Sequence, residues 1–233
     1  MAQHMPGDKV TQRVLFMRHP ETVSNVEHFF SGRMDVPLTE NGMRQRERGV
    51  EALVAFAPER IFTSPLSRAR DMAEEAAERL GVPCTPLDDL LEIDFGPLEG
   101  MNVTRAMNEG LGFPWPLDEK GRSCPPEGAE SFESVLGRAR AVLDRLLRLT
   151  GKTALVSHGG YQRFLMAALY DIPFTRFWDM HILNVASLFL TCDGASFALG
   201  GFNLAPEEVI AHSTKPNEYD TRDIWGAGRR EIA

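Results

Sequence analysis

The sequence predicts an α/β fold: a three-layer α/β/α arrangement around a mostly parallel central sheet, with an inserted lid or helical subdomain. Three observations predict it. Short apolar runs of strand length alternate with segments of helical period, the pattern of βα units. Two of those runs end abruptly in polar clusters that contain a histidine, and open α/β sheets collect their ligands at the carboxyl ends of strands. The chain has 233 residues, 43% hydrophobic and 25% charged, enough to bury a core without disulfides or metals.

The first strand is Val14-Leu15-Phe16-Met17, running straight into Arg18-His19-Pro20-Glu21-Thr22. A helix starting near Thr39 turns Met43, Val50, Leu53 and Val54 inward, and a short strand follows at Arg60-Ile61-Phe62-Thr63. Ser64 then reads as an N-cap with Pro65 at the first helical position and Gly81 as the stop. This places Arg68 in the first turn, where a cation is disfavoured unless an anion is bound there. Residues 96–130, rich in Gly and Pro, read as an irregular lid. The clearest helix covers Ser131 to Thr150, with Phe132, Val135, Leu136, Ala139, Val142, Leu143, Leu146 and Leu147 on one stripe. Strand Thr153-Ala154-Leu155-Val156 ends in Ser157-His158-Gly159-Gly160 and passes into a helix through Phe164, Leu165, Ala168 and Leu169. Two strands near Val185–Thr191 and Ser196–Phe202 complete a single domain over residues 13–204. Residues 205–233 form a polar tail to which no element is assigned.

The formal net charge of −8 has the wrong sign for a nucleic-acid binder or an anionic membrane surface, so any anion must be held locally. The basic set is 21 Arg to 4 Lys, and the planar Arg fork suits bidentate contacts to phosphate. Cys84, Cys124 and Cys192 are far apart and odd in number, with no CxxC pair, which suggests neither a disulfide framework nor a zinc site and fits a reducing compartment. No apolar run approaches ~18 residues and the N-terminal stretch has no signal-like apolar segment, so a cytoplasmic location is expected.

In a parallel sheet His19 and His158 stand at the same edge although they are far apart in sequence, and Arg18 and Arg68 stand at equivalent ends. Two imidazoles and two guanidiniums around one cavity suit an anion with several oxygens, above all a phosphoryl group. A lone histidine beside a strand is more often a packing residue; the joint pattern is what favours a site. Metal binding is disfavoured because guanidiniums repel a cation, so no metal is expected.

These residues resemble the histidine phosphatase superfamily, the phosphoglycerate-mutase-like group. Leu15 to Asn25 is similar to its RHGETxxN signature. Four further motifs follow in family order: Gly32-x-x-Asp35-x-Pro37-Leu38-Thr39-Glu40-x-Gly42, Thr63-Ser64-Pro65-Leu66-Ser67-Arg68-Ala69, Glu92 to Gly100, and Val156 to Gly160. The resemblance implies that His19 is a nucleophile forming a phosphohistidine. Arg18, Arg68 and His158 would hold the equatorial oxygens, and Asn25 and backbone N–H groups near Gly159 would add donors. Glu92 would be the general acid and then base, and Glu99 a structural carboxylate. No cofactor is implied. The expected function is hydrolysis of a small phosphorylated substrate. A cofactor-dependent phosphoglycerate mutase and a non-catalytic phospho-ligand binder are the alternatives, and a homodimer remains open.

The chain departs from the family pattern at Pro20, where Gly is usual, removing a backbone N–H and pushing His19 toward extended dihedrals. Leu98 replaces a frequent Trp, and Cys124 to Ser131 is similar to the PPGGES element of the phosphatase branch with one extra residue. In the lid, Arg105, Lys120 and Arg122 face five carboxylates, Glu109, Asp118, Glu119, Glu127 and Glu130, a net-acidic segment that favours release of an anionic product over its retention. Arg33 is a candidate substrate contact at the mouth. Phe29, Phe30, Trp115, His28 and His181 read as packing or solvated residues.

Overall fold

The structure, a computed structural model, describes residues 10–111 and 113–213. Alternation within the buried strands sets its layers. In the first strand, β1 (Gln12–Arg18), Val14 and Phe16 pack into one apolar cluster and Leu15 and Met17 into another, and none of the four is more than 1% exposed. A strand apolar on both faces must be covered on both. The covering elements follow in chain order: α1 (Val23–Glu27), α2 (Glu40–Phe56), β2 (Arg60–Thr63), α3 (Ser67–Leu80), β3 (Cys84–Pro86), α4 (Val103–Asn108), α5 (Phe132–Leu147), β4 (Gly151–Ser157), α6 (Gly159–Tyr170), β5 (Ser187–Cys192), β6 (Phe197–Leu204) and α7 (Pro206–Ser213). Helices α5 and α6 pack together on one face, and α2, α3 and α7 cover the other.

The six strands lie in the order β3-β2-β4-β1-β5-β6. Strands β3, β2, β4 and β1 are mutually parallel, while β5 runs antiparallel to both β1 and β6. The mixed edge agrees with the expected mostly parallel sheet, and the three-layer α/β/α expectation holds.

The helix starts follow their capping chemistry. Thr39 accepts from the Gly42 N–H at 2.9 Å to open α2, and Ser131 accepts from the Ser134 N–H at 3.2 Å to open α5. The expected N-cap at Ser64 is not observed: α3 begins at Ser67, with Leu66 in the cap position. Its cap comes from outside, because Asp35 Oδ1 accepts from both the Ser67 N–H (2.8 Å) and the Ser67 hydroxyl (2.9 Å). Arg68 is still in the first turn, as expected. Helix α5 stops at Leu147, and Gly151 opens β4 at φ 80° instead of ending the helix.

The inserted lid or helical subdomain is observed, and the expectation of an element-free tail is corrected. The lid over residues 96–130 contains α4. It is docked on the core through Ala106 and Trp115, 0% and 2% exposed, with Phe113 edge-on to Phe30, Phe95, Trp115 and Trp178. The polar stretch after residue 204 opens with α7, which packs against α2 and buries Val209 to 1% exposure. Two buried residues, Pro206 and Val209, in an eight-residue helix give too short a period to read as a helix from sequence. The rest of that stretch, residues 214–233, lies outside the described residues. Among the described residues no helix is long and apolar enough to cross a membrane.

If α7 closes the core, Val209→Asp forces an unpaired charge against α2 and lowers unfolding stability by about 2–3 kcal/mol. Denaturant melts of the two proteins measure this, and equal stabilities would mean that α7 is peripheral.

Candidate active site

Strand register assembles the site. The β1–β4 ladder ends on Arg18 beside Ser157, and the β2–β4 ladder on Thr63 beside Val156, so three strand ends lie abreast. The residues just beyond them, His19, His158 and Ser64, therefore converge. His19 N–H donates to the Ser157 carbonyl at 2.8 Å and Ser64 N–H to that of Val156 at 2.9 Å. The two imidazole rings sit 5.2 Å apart, tilted by 56°. Both histidines are buried.

Hydrogen bonding fixes the His19 tautomer. Its Nδ1 is 2.6 Å from the Pro20 carbonyl, an acceptor only, so Nδ1 carries the proton and Nε2 keeps the lone pair. The contact uses the carbonyl of residue 20, which proline retains. Burial, then the guanidiniums of Arg68 and Arg18, hold His19 well below the usual imidazole range, so the ring is neutral. His158 is held down in the same way by burial, Arg68 and then His19. Its Nε2 lies 2.7 Å from the Ser64 hydroxyl.

Each buried guanidinium is clamped by carbonyls. Arg18 Nη1 donates to the Ile182 carbonyl at 2.6 Å; Arg68 donates from Nη1 to Met34 (2.7 Å) and from Nη2 to Gly32 (2.8 Å). Burial pushes Arg18 down to about 10, still fully protonated near neutrality, with Glu92 opposing the shift and Arg163 and Arg68 adding to it. Burial also lowers Arg68, against the pull of Glu92, Asp35 and Glu99. Four buried nitrogens here lack a hydrogen-bond partner in the protein: the Nε atoms of Arg18, Arg68 and Arg33, and His158 Nδ1. Buried polar groups are nearly always paired, and the free Nε–H groups of Arg18 and Arg68 have the chemistry to donate to an acceptor-rich anion. Among the described residues no group of three or more His, Cys, Asp or Glu side chains converges as a metal site.

Glu92 lies at the start of α6, where its carboxylate accepts from the N–H groups of Gly160 and Tyr161, both at 2.9 Å, and from that of Ile93 at 3.0 Å. Two N–H groups expected near Gly159 for an incoming phosphate are thus occupied by Glu92. Gly159 itself supplies space: a Cβ there would lie 2.9 Å from Arg18 Nε. Asn25 Oδ1 accepts from the Thr22 N–H at 3.1 Å. Arg33 reaches Glu130 at 3.2 Å, and its N–H donates to Glu99 at 2.7 Å. Its charge also lowers His158. Glu99, raised by burial, packs beneath Gly32, as expected of a structural carboxylate. Trp115 is core rather than mouth, its Nε1–H donating to the Glu130 carbonyl at 3.0 Å.

Three further residues belong to this neighbourhood. Ser64 partners His158, and its position beyond a strand end was a readable signal. Arg163, on α6, donates to the carbonyls of Gly159 and Met180, both at 2.9 Å, and lies over the Trp178 ring; one helical turn from Gly159, it too could have been found by spacing. Asn184, which bonds the His19 carbonyl at 3.1 Å, is flagged by no motif.

Residues 14–205 match the histidine phosphatase superfamily (branch 1). The chain belongs to that family. It is 35% identical over 196 residues to a Mycobacterium tuberculosis protein described as bifunctional, an alignment that takes in 79% of this chain and 52% of the relative. The chain thus spans about half the length of that relative. The adenosylcobalamin/alpha-ribazole phosphatase of Salmonella typhimurium is 30% identical over 73% of this chain and 85% of its own length. In three dimensions the chain is similar to mycobacterial glucosyl-3-phosphoglycerate phosphatase in complex with VO3, with a TM-score of 0.71, 27% identity, and coverage of 82% of this chain and 99% of that one.

The depressed histidines make stability pH-dependent. Each is neutral when folded and protonates near its ordinary 6.5 when unfolded, so its contribution is intact above pH 6.5 and lost as pH falls. With both present, unfolding free energy should fall by up to about 1.4 kcal/mol per pH unit per histidine between about pH 6 and 5. Chemical denaturation across that range checks this, and His158→Gln should remove one histidine's share of the slope. An unchanged slope would mean that His158 is protonated in the folded state.

Proposed function

We propose that the chain is a phosphomonoester hydrolase that transfers the phosphoryl group of a small phosphorylated metabolite to His19 Nε2 and then to water, without a metal. The observation that carries this reading is the neutral His19 lone pair beside the guanidiniums of Arg18 and Arg68, whose buried Nε–H groups lack protein partners. Phosphoryl transfer needs little covalent chemistry from a protein beyond positioning and fixed positive charge on the equatorial oxygens. Arg18, Arg68, His158 and Asn25 are assigned to those oxygens, and Arg33 to the part of the substrate beyond the phosphoryl group.

In the first step Nε2 attacks phosphorus, the ester P–O bond breaks, and Glu92 relays to the leaving oxygen the proton that a monoanionic phosphate ester brings in. In the second, the Glu92 carboxylate takes a proton from water, whose oxygen attacks phosphorus as the P–N bond breaks. Phosphate leaves, and His19 and Glu92 return to their starting forms. Glu92 is held for this by α6, and its charge acts on Arg18, Arg68 and Arg163.

Hydrolysis is favoured over mutase chemistry by the lid. Arg105 and Arg122 are engaged at the surface with Glu109 and Asp118, each at 2.7 Å, so neither is poised to grip a phosphorylated intermediate. Catalysis is favoured over binding alone by Pro20, whose carbonyl makes the contact that sets the His19 tautomer.

With an aryl phosphate in the presence of chelator, the protein should release phosphate and His19→Ala should not; equal rates would sink the mechanism. Glu92→Gln should slow turnover by about 10²–10⁴-fold for alkyl phosphates and far less for good aryl leaving groups. A uniform loss across leaving groups would contradict the proton-donor role. 3-Phosphoglycerate should be dephosphorylated, whereas isomerisation to 2-phosphoglycerate would establish a mutase.

A further inference from the structure

Behind His19 runs a segment, residues 180–186, held from several elements at once. Arg163 Nε donates to the Met180 carbonyl and Arg18 Nη1 to that of Ile182, while Asn203 Oδ1 accepts from the Leu183 N–H at 2.9 Å. Val185 sits at φ 52°, a left-handed conformation that a β-branched residue adopts only when its surroundings overdetermine it. Its N–H points at the His19 carbonyl at 3.4 Å. Between these anchors stands Asn184, whose Nδ2 lies 3.1 Å from the His19 carbonyl and 3.2 Å from Asn25 Oδ1.

The orientation of both amides is forced. The Thr22 N–H can only donate, so the end of Asn25 that faces it at 3.1 Å is the oxygen. The His19 carbonyl can only accept, so the end of Asn184 that faces it is the NH2. Its two hydrogens serve His19 and Asn25. With Asn25 Oδ1 accepting from the Thr22 N–H and hydroxyl, both at 3.1 Å, and on its other side from Asn184, the Asn25 NH2 is the end left to meet an oxyanion. We propose that Asn184 is a positioning residue which locks the Asn25 amide so that its NH2, not its oxygen, faces the transferred phosphoryl group, and which holds the His19 peptide in register. This rests on the phosphohydrolase reading above.

Orthovanadate binding to the full chain, followed by calorimetry, tests the proposal without requiring turnover. Asn184→Ala should weaken binding about tenfold, as should Asn25→Ala, and the double variant should lose no more than about two- to threefold beyond Asn25→Ala, because both act through one amide. Asn184→Asp, of the same shape but with oxygens toward two acceptors, should bind more weakly than Asn184→Ala. It also carries the double-variant comparison if the alanine variant does not melt cooperatively. Losses that multiply in the double variant, or a lowered melting temperature with wild-type vanadate affinity, overturn the role of Asn184 alone. A wild-type protein that binds no vanadate overturns the phosphohydrolase reading itself.

Discussion

Arg18 and Arg68 carry two positive charges into a nearly dry pocket beside two imidazoles, an arrangement that mutual repulsion and lost hydration both oppose. Backbone carbonyls of Gly32, Met34 and Ile182 offset part of that cost, and Glu92 supplies a countercharge. The imidazoles respond by staying neutral. Much of the surrounding structure serves this arrangement: three strand ends abreast, a glycine at 159 that leaves room for Arg18, and Asp35 capping the helix that carries Arg68. A neutral nucleophile next to permanently charged donors is the electrostatic condition for accepting a phosphoryl group near neutral pH.

The strand and helix framework was legible because its periods were clean. β1 is apolar on both faces, α5 carries an unbroken apolar stripe, and Thr39 and Ser131 cap as their residue types suggest. Convergence of His19, His158, Arg18 and Arg68 followed from where strands end. The failures are local. Ser64 looked like a cap, but its hydroxyl is set against His158 while a carboxylate 32 residues earlier in the chain caps α3, and side chains that arrive from distant loops leave no local pattern. Helix α7 was missed because only Pro206 and Val209 are buried along its eight residues. Asn184, and the capping role of Asp35, left no local signal because their partners are distant in sequence.

The lid shows how a charge count can mislead. Five carboxylates against three bases suggested an acidic field, yet Glu109 and Asp118 are paired with Arg105 and Arg122. Glu130 is gripped through both oxygens by Arg138 at 2.9 and 2.8 Å and also accepts from Ser134 and Arg33. Burial alone would raise Glu130, but Arg138, Ser134 and Arg33 hold it below the ordinary carboxylate value. The exposed Arg105–Glu109 and Arg122–Asp118 pairs add little stability. The consequence of these lid contacts is geometric, since they commit Arg105 and Arg122 to the surface and tie Arg33, through Glu130, to the helix that follows the lid.

Covalent phosphorylation of His19 Nε2 would be caught by rapid quenching into base during turnover of an aryl phosphate, followed by peptide mass analysis. The peptide containing His19 should carry a phosphoryl group that is stable in alkali and lost in mild acid. An unmodified His19 peptide during steady turnover, or label on another residue, would contradict it.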